Sequence, residues 1–165
     1  MTGAKRRSFE AGHRPKFLVV IDGSPESMRA VHFAARRSAR TGASMIMLGV
    51  VTTTETFEFL GVGDAIRQEA EEETTRLLAA AADHAKEAAG VSPEQVVKEG
   101  KRADCIRKLI EEDQDVSFLV LAASPDSAGP GPLVSGVASS SQSFAVPIVI
   151  VPGDLTDEEI DALAG

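Results

Sequence analysis

The sequence predicts an α/β fold: a five-stranded, doubly wound parallel sheet with helices on both faces. Three observations predict it. Short apolar runs recur along the chain, and they are continuous rather than alternating, as in Phe17-Leu18-Val19-Val20-Ile21. Continuous runs of that length mark strands buried on both faces. Between them lie segments whose apolar residues return at helical spacing, so each helix carries the chain from one strand to the next. Such crossovers are right-handed, which makes the strands parallel and limits the topology.

The elements follow in order. Residues Met1 to Lys16 form a basic lead with Lys5, Arg6, Arg7, Arg14 and Lys16 against one acid, Glu10. A charged lead with few apolar residues is expected to be disordered and dispensable for folding. The first strand, Phe17–Ile21, ends at Asp22-Gly23-Ser24-Pro25-Glu26. Ser24 suits a helix N-cap and Pro25 the first helical position. Met28, Val31, Ala34, Ala35 and Ala39 then form an apolar face that Gly42 terminates. His32, Arg36 and Arg37 lie off that line and are expected on a solvated face.

Met45–Val51 is the second strand. A polar stretch, Thr52 to Thr56, and a lone Gly61-Val62-Gly63 precede a long helix, Ala65–Ala89, rich in strong helix formers. Ile66, Ala70, Thr74, Leu77, Leu78 and Ala81 make its inner stripe. Gln95–Glu99 is short and polar, as an edge strand should be. Ala103–Asp113 is the third helix, and Cys105 on its apolar face is expected to be a core thiol. Val116–Ala123 is the fourth strand. A loop rich in Gly and Pro, Ser124 to Pro132, leads to a helix over Leu133–Ala145. Pro147–Val151 closes the sheet. The acidic tail 153–165 carries Asp154, Asp157, Glu158, Glu159 and Asp161, and Thr156 can cap a short helix that docks on the body or on a partner.

Composition excludes several classes. The net charge of −8 argues against a nucleic-acid partner, since phosphate binding needs a basic surface. One cysteine cannot build a disulfide framework and fits a reducing compartment. No apolar run approaches the roughly 18 residues of a membrane span. No apolar core follows the basic N-terminus, so no signal peptide is expected. The reading is a cytoplasmic protein without membrane insertion. The motifs G-x-x-x-x-G-K-[ST], CxxC and HExxH are absent, as is G-x-G-x-x-G after a first strand. The three histidines, His13, His32 and His84, are scattered, and no Ser-His-Asp arrangement can be assembled. A phosphoacceptor receiver would need Asp after strand three and Lys after strand five, where Glu99-Gly100 and Pro152 stand.

In an open parallel sheet, small ligands sit beyond the carboxyl ends of the strands at the switch point. Here that point lies beside Asp22, with Val50 and the loop after Ala123 lining the same crevice. A glycine-rich loop before a helix can cradle phosphate with its free N–H groups.

These residues resemble the universal stress protein family. The resemblance rests on Val19-Val20-Ile21-Asp22-Gly23-Ser24, Ser27 and Ala30, and on the long second helix. The short strand ending in Glu99-Gly100, the helix after it, and Val146–Pro152 extend it. It spans about Pro15 to Pro152, and implies the adenine nucleotide alpha hydrolase-like fold with strand order 3-2-1-4-5, a homodimer, and a part in stress tolerance. It also implies that Asp22 and Val50 face ribose and adenine. ATP-binding members carry G-x-x-G, nine residues, then G-[S/T] after strand four. On this chain those positions hold Ala123, Asp126, Gly136 and Val137. Only Gly136 is retained.

The changes oppose phosphate. Ala123 restricts the backbone's approach, and Val137 withholds a hydroxyl. Asp126 brings a carboxylate, and like charges about 4 Å apart repel by roughly 4 kcal/mol at an effective dielectric of about 20. The loop's Gly129, Gly131 and Ser135 offer partial compensation. The reading is a non-enzymatic stress-response module, acting as a dimer through a protein partner, without cofactor and with weak ATP or AMP binding at most. The alternatives are an adenine-nucleotide sensor with slow or no hydrolysis, and an accessory domain that docks through its charged tails.

Overall fold

The computed structural model describes residues 5–52, 63–126, 129–139 and 144–165. The strands are β1 (Lys16–Ile21), β2 (Ser44–Val51), β3 (Glu94–Glu99), β4 (Val116–Ala123) and β5 (Ile148–Pro152). The helices are α1 (Ser27–Thr41), α2 (Gly63–Ala89), α3 (Arg102–Glu112), α4 (Pro132–Ala138) and α5 (Asp157–Leu163). All strands pair in parallel, in the order β3-β2-β1-β4-β5. This is the architecture the alternating runs predict, with the polar β3 at one edge and β5 at the other.

Burial on both faces explains the continuous runs. Along β1, Leu18 and Val20 pack with Leu48, Ile106 and Leu121 on the α3/α4 face. Val19 and Ile21 pack with Ala34, Met47 and Leu78 on the α1/α2 face. The long α2 comes close to the sheet because Gly49 has no side chain. A β-carbon there would stand 2.3 Å from Cγ2 of Thr74 and 3.3 Å from Cδ1 of Leu78.

Several local expectations are corrected. Helix α1 begins at Ser27, because the Ser24 hydroxyl is spent on Asp22 (2.6 Å) instead of capping the helix. Gly42 ends it in the left-handed conformation (φ 74°), donating its N–H to Ser38 O. Ala39 is exposed. Helix α4 stops at Ala138, well short of Ala145. Ser139 there bonds Gly136 O through its hydroxyl (2.9 Å), offering the backbone an alternative to the helical ladder. Residues 53–62, which include most of the threonine-rich stretch and Gly61-Val62, lie outside the described residues.

The described part of the lead and the acidic tail are both seated on the body. The sequence predicts a disordered lead, but Arg6 donates to Ile110 O (2.8 Å), Asp113 O (3.1 Å) and Val116 O (3.1 Å). The guanidinium thereby satisfies carbonyls at the C-terminal end of α3, where a cation also suits the helix dipole. Arg7 N–H donates to Gln114 O, and His13 Nδ1 lies 2.7 Å from Asp115 Oδ1. Ser8 is buried.

The acidic tail docks along α1. Thr156 caps α5 by accepting from Glu159 N–H, and Ile160 and Ala164 are fully buried. Asp157 pairs with Arg29, while Asp161 pairs with Arg36 (3.1 Å) and with Nε2 of His32 (2.7 Å). His32 is buried beneath this tail, contrary to its expected solvated place. Among the described residues no helix is long and apolar enough to cross a membrane.

Candidate functional site

The first βα turn builds one side of the crevice. Asp22 follows β1, and its Oδ1 accepts from Ser24 N–H (3.1 Å), Ser24 Oγ (2.6 Å) and Ser27 Oγ (2.6 Å). Burial pushes the Asp22 carboxyl up, but the hydrogen bonds from Ser24 and Ser27 outweigh it and hold the group below its usual range. Gly23 turns the chain with φ 80°, a conformation that glycine adopts without strain. Val50, at the carboxyl end of β2, is half-buried and packs against the α3/α4 side of the core.

The loop after β4 builds the other side, and three of its described amides are engaged within it. Ser124 N–H donates to Pro130 O (2.9 Å), Asp126 N–H to Ser124 Oγ (3.2 Å) and Gly129 N–H to Asp126 O (3.3 Å). Pro125, Pro130 and Pro132 have no N–H to give. A phosphate entering this loop finds the amides of Ser124, Asp126 and Gly129 already paired.

Two carboxylates border this loop, one on it and one on the turn before α1. Asp126 is exposed on the loop, as its position in the sequence suggests. Glu26, just before α1, was not among the sequence candidates. A β-carbon on Gly131 would stand 3.6 Å from Glu26 Oε1. The signal for it was present. In a doubly wound sheet the residues after β1 face the loop after β4 across the switch point.

The remaining candidates separate. Ala123 is held at the site: it pairs with Pro152, and its carbonyl lies where a β-carbon on Gly153 would reach within 2.2 Å. Only glycine lets the end of β5 approach β4 so closely. Gly136 is exposed, and a β-carbon there would meet nothing within 4 Å. Val137 is 2% exposed and packs into the core with Leu121 and Leu133, so its side chain belongs to the packing of α4.

Elsewhere, Cys105 is buried beside Ile106 as expected, and burial pushes its thiol up, away from reactivity. Among the described residues no group of three or more His, Cys, Asp or Glu could hold a metal ion. What the crevice offers is an ionised carboxylate at Asp22, a hydrophobic strand end at Val50 and an acidic loop with three of its amides bonded within it.

Comparison with known proteins places this geometry. The chain matches the model of the Universal stress protein family over residues 13–152. No curated protein matches it. Among solved structures it is similar to the universal stress protein UspA from Lactobacillus plantarum, at 16% identity and a TM-score of 0.69, over 83% of this chain and 97% of that one. A universal stress protein in complex with cAMP is 24% identical, with a TM-score of 0.63 over 83% and 96% of the two chains. The universal stress protein from Archaeoglobus fulgidus in complex with dAMP is 16% identical, with a TM-score of 0.56 over the same shares.

Proposed function

The chain belongs to the universal stress protein family, and on that premise we propose that it is a non-enzymatic stress-response module. It acts in the cytoplasm as a homodimer through protein partners, and its loop after β4 no longer holds a triphosphate. The single observation that carries this reading is the state of that loop. The described amides of Ser124, Asp126 and Gly129 are bonded within it, and the carboxylate of Glu26 stands beside Gly131. Losing a charge-assisted hydrogen bond costs roughly 1.5–3 kcal/mol, so two or three lost donors reduce ATP affinity by several powers of ten.

A second reading, an adenine-nucleotide sensor, is favoured by Asp22. Its carboxylate is held ionised at the switch point, and Val50 lies at the end of the adjacent strand. Relatives of this fold were solved with cAMP and dAMP, ligands with one phosphate and so less need of the loop. Calorimetric titration of the purified chain with ATP, AMP and cAMP separates the two readings. The module reading expects no saturable ATP binding below about 1 mM. Saturable AMP or cAMP binding that is lost in Asp22→Ala, with ATP still excluded, supports the sensor. Micromolar ATP binding by the unaltered chain contradicts the proposal.

A further inference from the structure

Four of the chain's seven phenylalanines, Phe9, Phe17, Phe33 and Phe118, line one cavity of about 300 Å³. They arrive from four different segments: the lead, β1, α1 and β4. Phe17 and Phe118 stack with ring centroids 5.3 Å apart, and Val149 of β5 adds to the apolar lining. The cavity lies at the amino ends of the strands, so the whole sheet separates it from the nucleotide crevice. Its size is at the small end of ligand pockets, and its lining has their usual apolar character.

Two features argue that it takes a ligand. Phe9 is 91% exposed, although the lead that carries it is anchored on either side by Arg7 and His13. A large aromatic held this way beside an apolar cavity leaves surface for a guest to cover. Among the described residues of the lining, Arg37 is the one that carries a charge. Its Nη1 donates to Ala164 O (3.1 Å), but among the described residues it forms no ion pair. Arg29 and Arg36 on the same helix are both paired, with Asp157 and Asp161.

We propose that this cavity binds a small amphiphilic carboxylic acid, its apolar body between the phenylalanines and its carboxylate on Arg37. Guanidinium and carboxylate are geometrically matched, so charge fixes the orientation while burial of the chain supplies affinity.

The test is calorimetric titration of the full chain with hexanoate, octanoate and 1-octanol. One saturable site is expected for octanoate. Each buried methylene is worth about fourfold, so octanoate should bind about fifteenfold more tightly than hexanoate. Arg37→Gln changes an exposed side chain and should leave the fold intact, a point that its urea midpoint checks. It should weaken octanoate about tenfold and leave 1-octanol unchanged. Ala43→Phe, which places a ring in the cavity, should abolish binding of both.

Octanoate that fails to saturate by about 1 mM overturns the proposal. So does binding that survives Ala43→Phe, or octanoate affinity that is unmoved by Arg37→Gln. Self-association that Ala43→Phe abolishes, without octanoate binding, would identify a second copy as the occupant and also overturn it. If Ala43→Phe does not fold, the chain-length series and Arg37→Gln still decide.

Discussion

Nδ1 of His32 on α1 lies 3.0 Å from Nε2 of His84 on α2. The far side of the His32 ring reaches Asp161 on α5, so one hydrogen-bonded line ties three helices together. With both rings neutral the roles follow. His32 donates from Nε2 to Asp161 and accepts at Nδ1 from His84. A proton on each ring would set two donors against each other across that gap.

This line makes stability depend on pH. Burial first, then the neighbouring His32, hold His84 below its ordinary value of 6.5, with Arg29 adding to the effect and Asp157 and Glu87 opposing it. As pH falls through 6.5 the unfolded chain takes a proton that folded His84 refuses, so stability is lost toward acid and fully present above that value. The urea midpoint should be flat between about pH 7 and 8 and lower at about pH 5.5, where carboxylates are still ionised. His84→Gln should reduce that difference. An unchanged slope in the variant would assign it elsewhere.

The lead should matter for stability. Arg6 serves three carbonyls near the end of α3, and removing it leaves them short of donors in a half-buried place. Arg6→Ala should destabilise by roughly 2–4 kcal/mol, and deletion through Arg14 by at least as much. Equal urea midpoints for the truncated and full chains would restore the expectation of a dispensable lead.

The contrast between Val19 and His32 explains what was legible. Val19 sits in a run whose chemistry alone demands burial on both faces, so the strands, the helices and the parallel sheet follow from local pattern and the crossover rule, while the strand order came from the family resemblance. His32 is buried because Asp161, 129 positions away, returns over it, and no periodicity reports such a contact. Arg6 is similar: a lone cation reads as solvated until the end of α3 meets it. The place of Asp22 at the carboxyl end of β1 was legible because the apolar run ends just before it. Val137 was misleading, since alignment to a motif gives a position in sequence and says nothing of which way a helix turns.

Val137 therefore makes a sharp test. Placing serine there buries a hydroxyl in an apolar core, so Val137→Ser should cost about 1–3 kcal/mol of stability and gain no ATP affinity. The carboxylates are the better targets. Glu26→Gln with Asp126→Gly removes two negative charges beside the loop and should raise affinity for phosphate ligands by about tenfold or more. Titration with ATP compares the two variants directly. A gain with Val137→Ser and none with the double change would reverse this assignment of the site.

The last prediction concerns the edges of the sheet. At β3 the outer strand is Glu-Gln-Val-Val-Lys-Glu, and its charges deter pairing with another chain. At β5 it is Ile-Val-Ile-Val-Pro, with no charge and only Pro152 lacking an N–H. Ile150 is 47% exposed there, with Ile148 and Val149 only partly buried. An apolar edge with free backbone groups favours a second β5 laid antiparallel, which a two-fold axis makes self-complementary. Each interface residue then counts twice. Replacing Ile150 with lysine should lose about 1–2 kcal/mol per copy, and so weaken dimerisation by roughly a hundredfold. Sedimentation equilibrium should give twice the chain mass for the natural protein at micromolar concentration and a single chain mass for Ile150→Lys. A natural protein that sediments as one chain would leave β5 bare and remove the dimer from the proposed function.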